Sequence, residues 1–254
     1  MKKKIDIIAS CYNEEDNIFP FFDETIKHID IDKYYFNIVY VNDGSSDKTY
    51  ENVMKLKEKY ADKNIGISII SFIHNFGHEA AMCAGFDISN ADYLIFMDVD
   101  LQNPPSKIVE IINMFESGAD CVLLKRVKYN ASFIKRFFSN AYYLFSSFVL
   151  RNRNERNVSD FFAVDKNLAK IISENYKTKL RFVRSFVQIE AKNIKIVDYE
   201  NMVRNSGVSR YNFFKLTKLA IISELSRIKF LRDKYKATAE NPVYIIDKNK
   251  TIYE

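Results

Sequence analysis

Five times in the first 150 residues a short apolar run gives way to a polar cluster and then to apolar residues at helical spacing. The runs lie at 5–11, 36–41, 66–72, 93–97 and 119–124, and the helical stretches after them at 14–29, 47–60, 78–89, 106–116 and 132–150. In the first helical stretch Ile18, Phe21, Phe22, Thr25, Ile26 and Ile29 recur near the 3.6-residue period of one buried face. Strands that are apolar throughout are covered on both sides, and strands joined through helices pair in parallel. The spacing therefore predicts an α/β fold whose central sheet is mostly parallel and flanked by helices. Ligands of such sheets gather at the carboxyl ends of the strands. Three polar clusters stand there: Tyr12-Asn13-Glu14-Glu15, Asn42-Asp43-Gly44-Ser45-Ser46-Asp47 and Asp98-Val99-Asp100-Leu101-Gln102. They should converge on one edge.

Beyond residue 158 the alternation loosens. Residues 160–164 and 194–199 read as strands, 166–175 and 211–231 as helices, and a polar tail runs to Glu254. No Gly/Ser/Pro-rich linker or solenoid-period repeat interrupts the chain, so one domain over 1–210 with an elaboration over 211–254 is the economical division. With 47% hydrophobic and 28% charged residues and only 6 Gly and 4 Pro, disordered and collagen-like classes are excluded. Cys11, Cys83 and Cys121 form no C-x-x-C pair, which fits a reducing compartment, with Cys83 and Cys121 as small core residues. The charge-free apolar stretch 141–150 is about half the roughly 20 residues of a membrane span. Lys2, Lys3 and Lys4 imitate the start of a signal peptide, but Asp6 interrupts the apolar stretch behind them and Glu14, Glu15 and Asp16 end it, so a cytoplasmic chain is expected.

The net charge of +5 hides a division. Residues 1–120 carry 11 Lys, no Arg and 21 Asp or Glu, a balance of −10, whereas the rest carry 27 basic and 12 acidic residues, a balance of +15. An acidic half suits a cation or a solvated surface; a basic, aromatic-rich half suits nucleic acid, anionic lipid or a phosphorylated ligand. Residues 125–156 and 203–236 each reach +7. Over 132–150, Phe133, Ile134, Phe137, Phe138, Ala141, Leu144, Phe145, Phe148 and Val149 recur at three- and four-residue spacing, with Lys135, Arg136, Ser139 and Asn140 between them. Such a basic amphipathic helix can lie in a membrane interface against anionic headgroups; the alternative is a core or homo-oligomer contact.

Asp98-x-Asp100-x-Gln102, followed by Asn103-Pro104-Pro105, closes the fourth strand and gathers hard oxygen donors in a turn stiffened by proline. Two carboxylates and an amide oxygen suit Mg²⁺ or Mn²⁺ shared with substrate phosphates; as plain architecture they would cap a helix. Asp43 ends the second strand and can accept hydrogen bonds from a base or ribose, or simply belong to a capped β-to-α turn. His74 and His78 have the four-residue spacing of a zinc pair, but Asn75-Phe76-Gly77 argues for a loop and no third ligand is visible. Neither a P-loop nor a G-x-S-x-G elbow is present. No RNA-binding signature accompanies the basic residues, and no nucleic-acid partner is expected.

Over residues 5 to 212 the chain resembles the inverting family 2 glycosyltransferases, and within them the polyprenyl-phosphate branch of dolichol-phosphate mannose synthase and bactoprenol glucosyltransferase. The resemblance rests on Cys11-Tyr12-Asn13-Glu14-Glu15, Val41-Asn42-Asp43-Gly44-Ser45-Ser46-Asp47-Lys48-Thr49, Asn75-Phe76-Gly77-His78-Glu79-Ala80-Ala81, Met97-Asp98-Val99-Asp100-Leu101-Gln102-Asn103-Pro104-Pro105 and Arg204-Asn205-Ser206-Gly207-Val208-Ser209-Arg210-Tyr211. It implies a GT-A fold that binds a UDP- or GDP-linked sugar through Tyr12, Asn13, Glu14, Asp43 and Asp98, with Asp100 and Gln102 on Mg²⁺ or Mn²⁺. It implies that Lys125 and Arg126, Lys135, Arg136 and Ser139, and Arg204, Ser209 and Arg210 surround donor and acceptor phosphates. Asp160, in Asp160-Phe161-Phe162, is the implied base. Ser10 departs from a frequent proline, Asn42 and Asn103 from aspartate, and His78 from lysine. Many bactoprenol glucosyltransferases continue into two transmembrane helices, where this chain runs through Lys215, Lys218, Glu224, Arg227, Lys229 and Arg232 into its polar tail, so peripheral attachment is expected. The acceptor is then polyprenyl phosphate, which is anionic without help from a base, or a glycan or other soluble hydroxyl, which needs Asp160 to take a proton.

Overall fold

The computed structural model describes residues 2–127, 155, 158–179, 181–200, 225 and 228–253. Its strands are β1 (Lys4–Cys11), β2 (Tyr35–Asn42), β3 (Gly66–Ser71), β4 (Tyr93–Asp98), β5 (Cys121–Arg126), β6 (Val158–Asp165) and β7 (Ile194–Tyr199). The helices among the described residues are α1 (Ile18–Thr25), α2 (Thr49–Lys59), α3 (His78–Ile88), α4 (Ile108–Glu116), α5 (Lys166–Asn175), α6 (Val183–Glu190) and α7 (Lys229–Lys234). The strands form one sheet in the order β3-β2-β1-β4-β6-β5-β7.

The sheet is mostly parallel because each early strand returns through a helix. β1 pairs in parallel with β2 and β4, β2 with β3, and β5 with β7. Alternate residues of each strand feed two cores. Ile5, Ile7 and Ala9 pack with Phe21, Phe22, Leu56 and Ile111 on one face, and Ile8 packs with Phe86, Phe162 and Phe186 on the other. Burial on both faces explains why β1 reads as an unbroken apolar run.

β6 is the exception, antiparallel to both β4 and β5. Its reversal matters for chemistry: the first residues of β6, including Asp160, reach the carboxyl edge where β4 ends at Asp98. α1 begins at Ile18 rather than at residue 14, because the Asn17 N–H closes a turn on the Glu14 carbonyl at 2.9 Å. The stretch 132–150 lies outside the described residues, as does 211–231 apart from Leu225 and residues 228–231. Among the described residues no helix is long and apolar enough to cross a membrane.

Residues 243–253 run antiparallel along the outer edge of β3. Ile69 and Ile252 exchange both backbone bonds, at 2.7 and 2.8 Å, and the Asp247 N–H donates to the Ser71 carbonyl at 2.7 Å. The segment thereby occupies an edge that would otherwise present unpaired backbone groups.

Candidate active site

The first two turns at the carboxyl edge are built on each other. Asn13 adopts φ +53°, a conformation asparagine tolerates. Its N–H donates to Ser45 Oγ at 2.9 Å and its Oδ1 accepts from the Ser46 N–H at 2.8 Å. The Glu14 N–H donates to Thr49 Oγ1 at 2.9 Å, while Glu14 Oε2 accepts from Asn17 Nδ2 at 2.6 Å. Glu15 and Asp47 reciprocate, each carboxylate accepting an N–H from the other turn. Asn13 and Glu14, expected at the donor, therefore use these atoms to fix the two turns, with Tyr12 half-buried beside them.

Asp43 is buried, and its carboxylate gathers the next loop. It accepts from the Phe76 N–H at 2.6 Å, the Gly77 N–H at 2.8 Å and Asn75 Nδ2 at 2.9 Å. Burial raises its pKa, opposed by the two amide bonds and by the His78 and Arg181 charges. Gly44 is required for this closeness: it has φ +68°, and a Cβ there would lie 2.3 Å from the His74 carbonyl carbon. His74 stays on this loop, stacked on Phe76, while His78 opens α3.

His78 points into a cluster of charge. Ser10 and Asp98 are in register on β1 and β4, and both reach it: Ser10 Oγ lies 2.9 Å from His78 Nδ1 and 3.3 Å from Asp98 Oδ1. His78 Nδ1 is 3.7 Å from Asp98 and its Nε2 is 3.9 Å from Asp160. Burial works against the imidazolium, but Asp98, Asp160, Glu79 and Asp43 outweigh it and raise its pKa. Arg184 Nη1 lies 3.1 Å from Asp160 Oδ1 as an ion pair, its N–H donating to the Val158 carbonyl at 2.8 Å. Burial works against ionised Asp160 as well; Arg184, His78 and Arg126 prevail and hold its carboxyl below the usual range. Arg126 is held from β7, its Nε donating to the Tyr199 phenol at 2.9 Å, and that phenol donates to Asn103 Oδ1 at 3.3 Å. Asp98, Asp160 and Arg126 thus lie within electrostatic reach of one another.

Asp100 follows β4, buried, with Oδ1 accepting the Gln102 N–H at 3.1 Å across Leu101, which takes φ +63°. A left-handed leucine costs on the order of 1 kcal/mol, the kind of strain that collects at functional sites. Burial raises the Asp98 pKa; His78 opposes this and the Asp100 charge adds to it. A divalent cation would relieve that repulsion, and oxygen donors completed by substrate phosphates fit Mg²⁺ or Mn²⁺. Among the described residues no group of three or more His, Cys, Asp or Glu forms a metal cluster.

Lys125 precedes Arg126, the last residue of β5. Lys135, Arg136, Ser139, Arg204, Ser209 and Arg210 lie outside the described residues. Four residues of the cluster were not singled out as site residues from sequence: Ser10, His78, Glu79 and Arg184. Ser10 and His78 left a signal, since both depart from what the resemblance leads one to expect. Arg184 left none, because it sits on α6, which the apolar spacing did not announce.

A strand-edge site of this kind, on a sheet of this order, is that of a GT-A glycosyltransferase. The chain belongs to glycosyl transferase family 2, whose profile matches residues 6–170. Bactoprenol glucosyl transferase of Shigella phage SfX is 31% identical over 220 residues, covering 86% of this chain and 70% of that protein. Among solved structures, glucosyl-3-phosphoglycerate synthase of Mycobacterium tuberculosis, in complex with Mn²⁺, UDP-glucose and phosphoglyceric acid, matches with a TM-score of 0.59 at 16% identity over 89% of this chain and 79% of that one. S. aureus TarS 1–349 in complex with UDP matches at 0.55 and 17% identity, over 88% of this chain and 65% of that one, so the chain spans less than two thirds of it. These two likenesses are of fold.

Proposed function

We propose that the protein transfers one sugar, with inversion, from a UDP- or GDP-linked donor to polyprenyl phosphate at the inner face of the cell membrane. The observation that carries the acceptor is the ion pair that Arg184 makes with Asp160. A general base works best with a pKa near the working pH, and a carboxylate paired at 3.1 Å with Arg184 and pushed below its usual range is a poor one. A lipid phosphate, with a second pKa of about 6, is already an anionic nucleophile. Arg126, within electrostatic reach of Asp160 and Asp98, would meet that anion, and the family resemblance assigns Lys135, Arg136, Ser139, Arg204, Ser209 and Arg210 to the same phosphates. The name carried by the phage relative agrees with this acceptor.

On the donor side Asp43 and Tyr12 would face the base and Asp98 the ribose and diphosphate. Asp100 and Gln102 would hold Mg²⁺ or Mn²⁺, which neutralises charge on a departing nucleoside diphosphate. The basic stripe over 132–150 would rest on anionic lipid. Incubation with a nucleotide-sugar panel and Mg²⁺ or Mn²⁺, with and without short-chain polyprenyl phosphate, tests the proposal by mass spectrometry. The expected product is a sugar joined to lipid phosphate; a sugar on a glycan or soluble hydroxyl, with the lipid ignored, overturns it. Vesicle binding should require anionic lipid, weaken with salt and be lost in a folded Phe137→Glu, Phe145→Glu variant.

A further inference from the structure

The segment on the β3 edge ends at the loop that closes on Asp43. Arg181 joins the two: its Nη1 donates to the Val243 carbonyl at 2.7 Å and its Nη2 to the Phe76 carbonyl at 3.3 Å. Rings make a second link. Tyr244 stacks on Phe72 at 4.9 Å, Phe72 meets Phe76 edge-on at 5.7 Å, and Phe76 stacks on His74 at 4.0 Å. The Ile73 N–H donates to the Ile245 carbonyl at 3.1 Å, extending the pairing past the end of β3 into the same loop. At the other end the segment is anchored, the Tyr253 phenol donating to Asp6 at 2.7 Å.

The loop is therefore gripped from two sides. Asp43 holds the N–H groups of Phe76 and Gly77, and Arg181 holds the carbonyl of Phe76 against residues 243–245. A guanidinium suits this place, because it offers donors on separate nitrogens in one rigid plane, where an ammonium is a single point. We infer that Arg181 and the segment 243–253 are positioning elements of the donor site, holding the 75–77 loop and with it Asp43, and so setting affinity for the nucleotide without touching it. The inference rests on the reading that the donor base lies at Asp43.

Amide exchange in the full-length protein tests the grip without any ligand, and calorimetry with UDP and GDP in Mg²⁺ tests its consequence. In Arg181→Ala the Phe76 and Gly77 amides should exchange roughly tenfold faster or more, while Ile7 and Ile95 in the sheet keep their wild-type rates. The nucleotide that binds the wild type should bind about 5- to 20-fold more weakly. Arg181→Lys, able to reach one carbonyl, should fall between. Wild-type exchange at Phe76 and Gly77 overturns the inference, as does faster exchange spread evenly through the sheet, which is the mark of lost stability alone. Local loosening with unchanged nucleotide affinity also overturns it. If the wild type itself binds neither nucleotide while the loop loosens as expected, the donor reading fails and the grip on the loop stands.

Discussion

Asn13, Glu15, Asp43 and Asp47 hold backbone N–H groups of neighbouring turns, whereas Asp98, His78, Asp160, Arg184 and Arg126 hold one another by charge. The two sides of the edge are thus built for different tasks. Backbone bonds fix shape, which on the proposed reading suits a base that must be placed. Charge fixes ionisation, which on the same reading suits a ribose and phosphates whose charge must be met. The division follows the chain in part: every member of the first group and the anion Asp98 come from the acidic first 120 residues, whereas Arg126 and Arg184 come from the basic remainder.

The shape-fixing side is broken most severely at Gly44. Gly44→Ala puts a methyl group into the His74 backbone and forces a left-handed alanine, and should cost at least about 3 kcal/mol in urea unfolding. A cost below about 1 kcal/mol would mean the turn gives way freely. Asp100→Asn next separates chemistry from shape. It should lower turnover by about 10²-fold or more while leaving the urea midpoint nearly unchanged. Retained activity with unchanged metal dependence would remove Asp100 from the metal.

The smallest effect concerns Glu79, whose Oε2 accepts the Val183 N–H at 2.8 Å and so ties α3 to α6. Burial, with the Asp160 charge, pushes its carboxyl up from 4.5 to about 7. The folded protein then holds this proton more tightly than the unfolded chain does. Its contribution to stability is full below about pH 4.5 and is lost as pH rises through about 7. Asp160 has the opposite sign: its contribution is present above its ordinary 3.8 and disappears as pH falls through its lowered folded value. Glu79→Gln should flatten the fall in stability between pH 4.5 and 7, and an unchanged slope would place the titration elsewhere.

The shape-fixing side was largely legible in the sequence. Apolar runs located β1 to β4 to within two residues at either end, and the polar clusters after them do meet at one edge. What those clusters do with their atoms was not legible: Asn13 and Glu14 carry hydrogen-bonding groups that serve a turn or a ligand equally well, and only partner distances separate the two. The charged side was harder to read. The run at β6 was visible, but alternation carries no direction, and only the antiparallel pairing puts Asp160 near Asp98. α6 has eight residues, no side-chain cap at Phe182 and only three buried apolar positions, Val183, Phe186 and Val187, too short a stretch to fix a period. Arg184 was hidden with it.

Turnover of Asp160→Asn against polyprenyl phosphate and against a hydroxyl acceptor tests most directly whether this side of the site supplies charge or takes a proton. The variant keeps size and hydrogen bonding but loses the carboxylate, and general-base catalysis is worth about 10² to 10⁴-fold. A site built around an anionic nucleophile should lose less than roughly 10²-fold and still join sugar to lipid phosphate. Near-complete loss with unchanged donor affinity, and a wild-type product on a glycan hydroxyl, would contradict it.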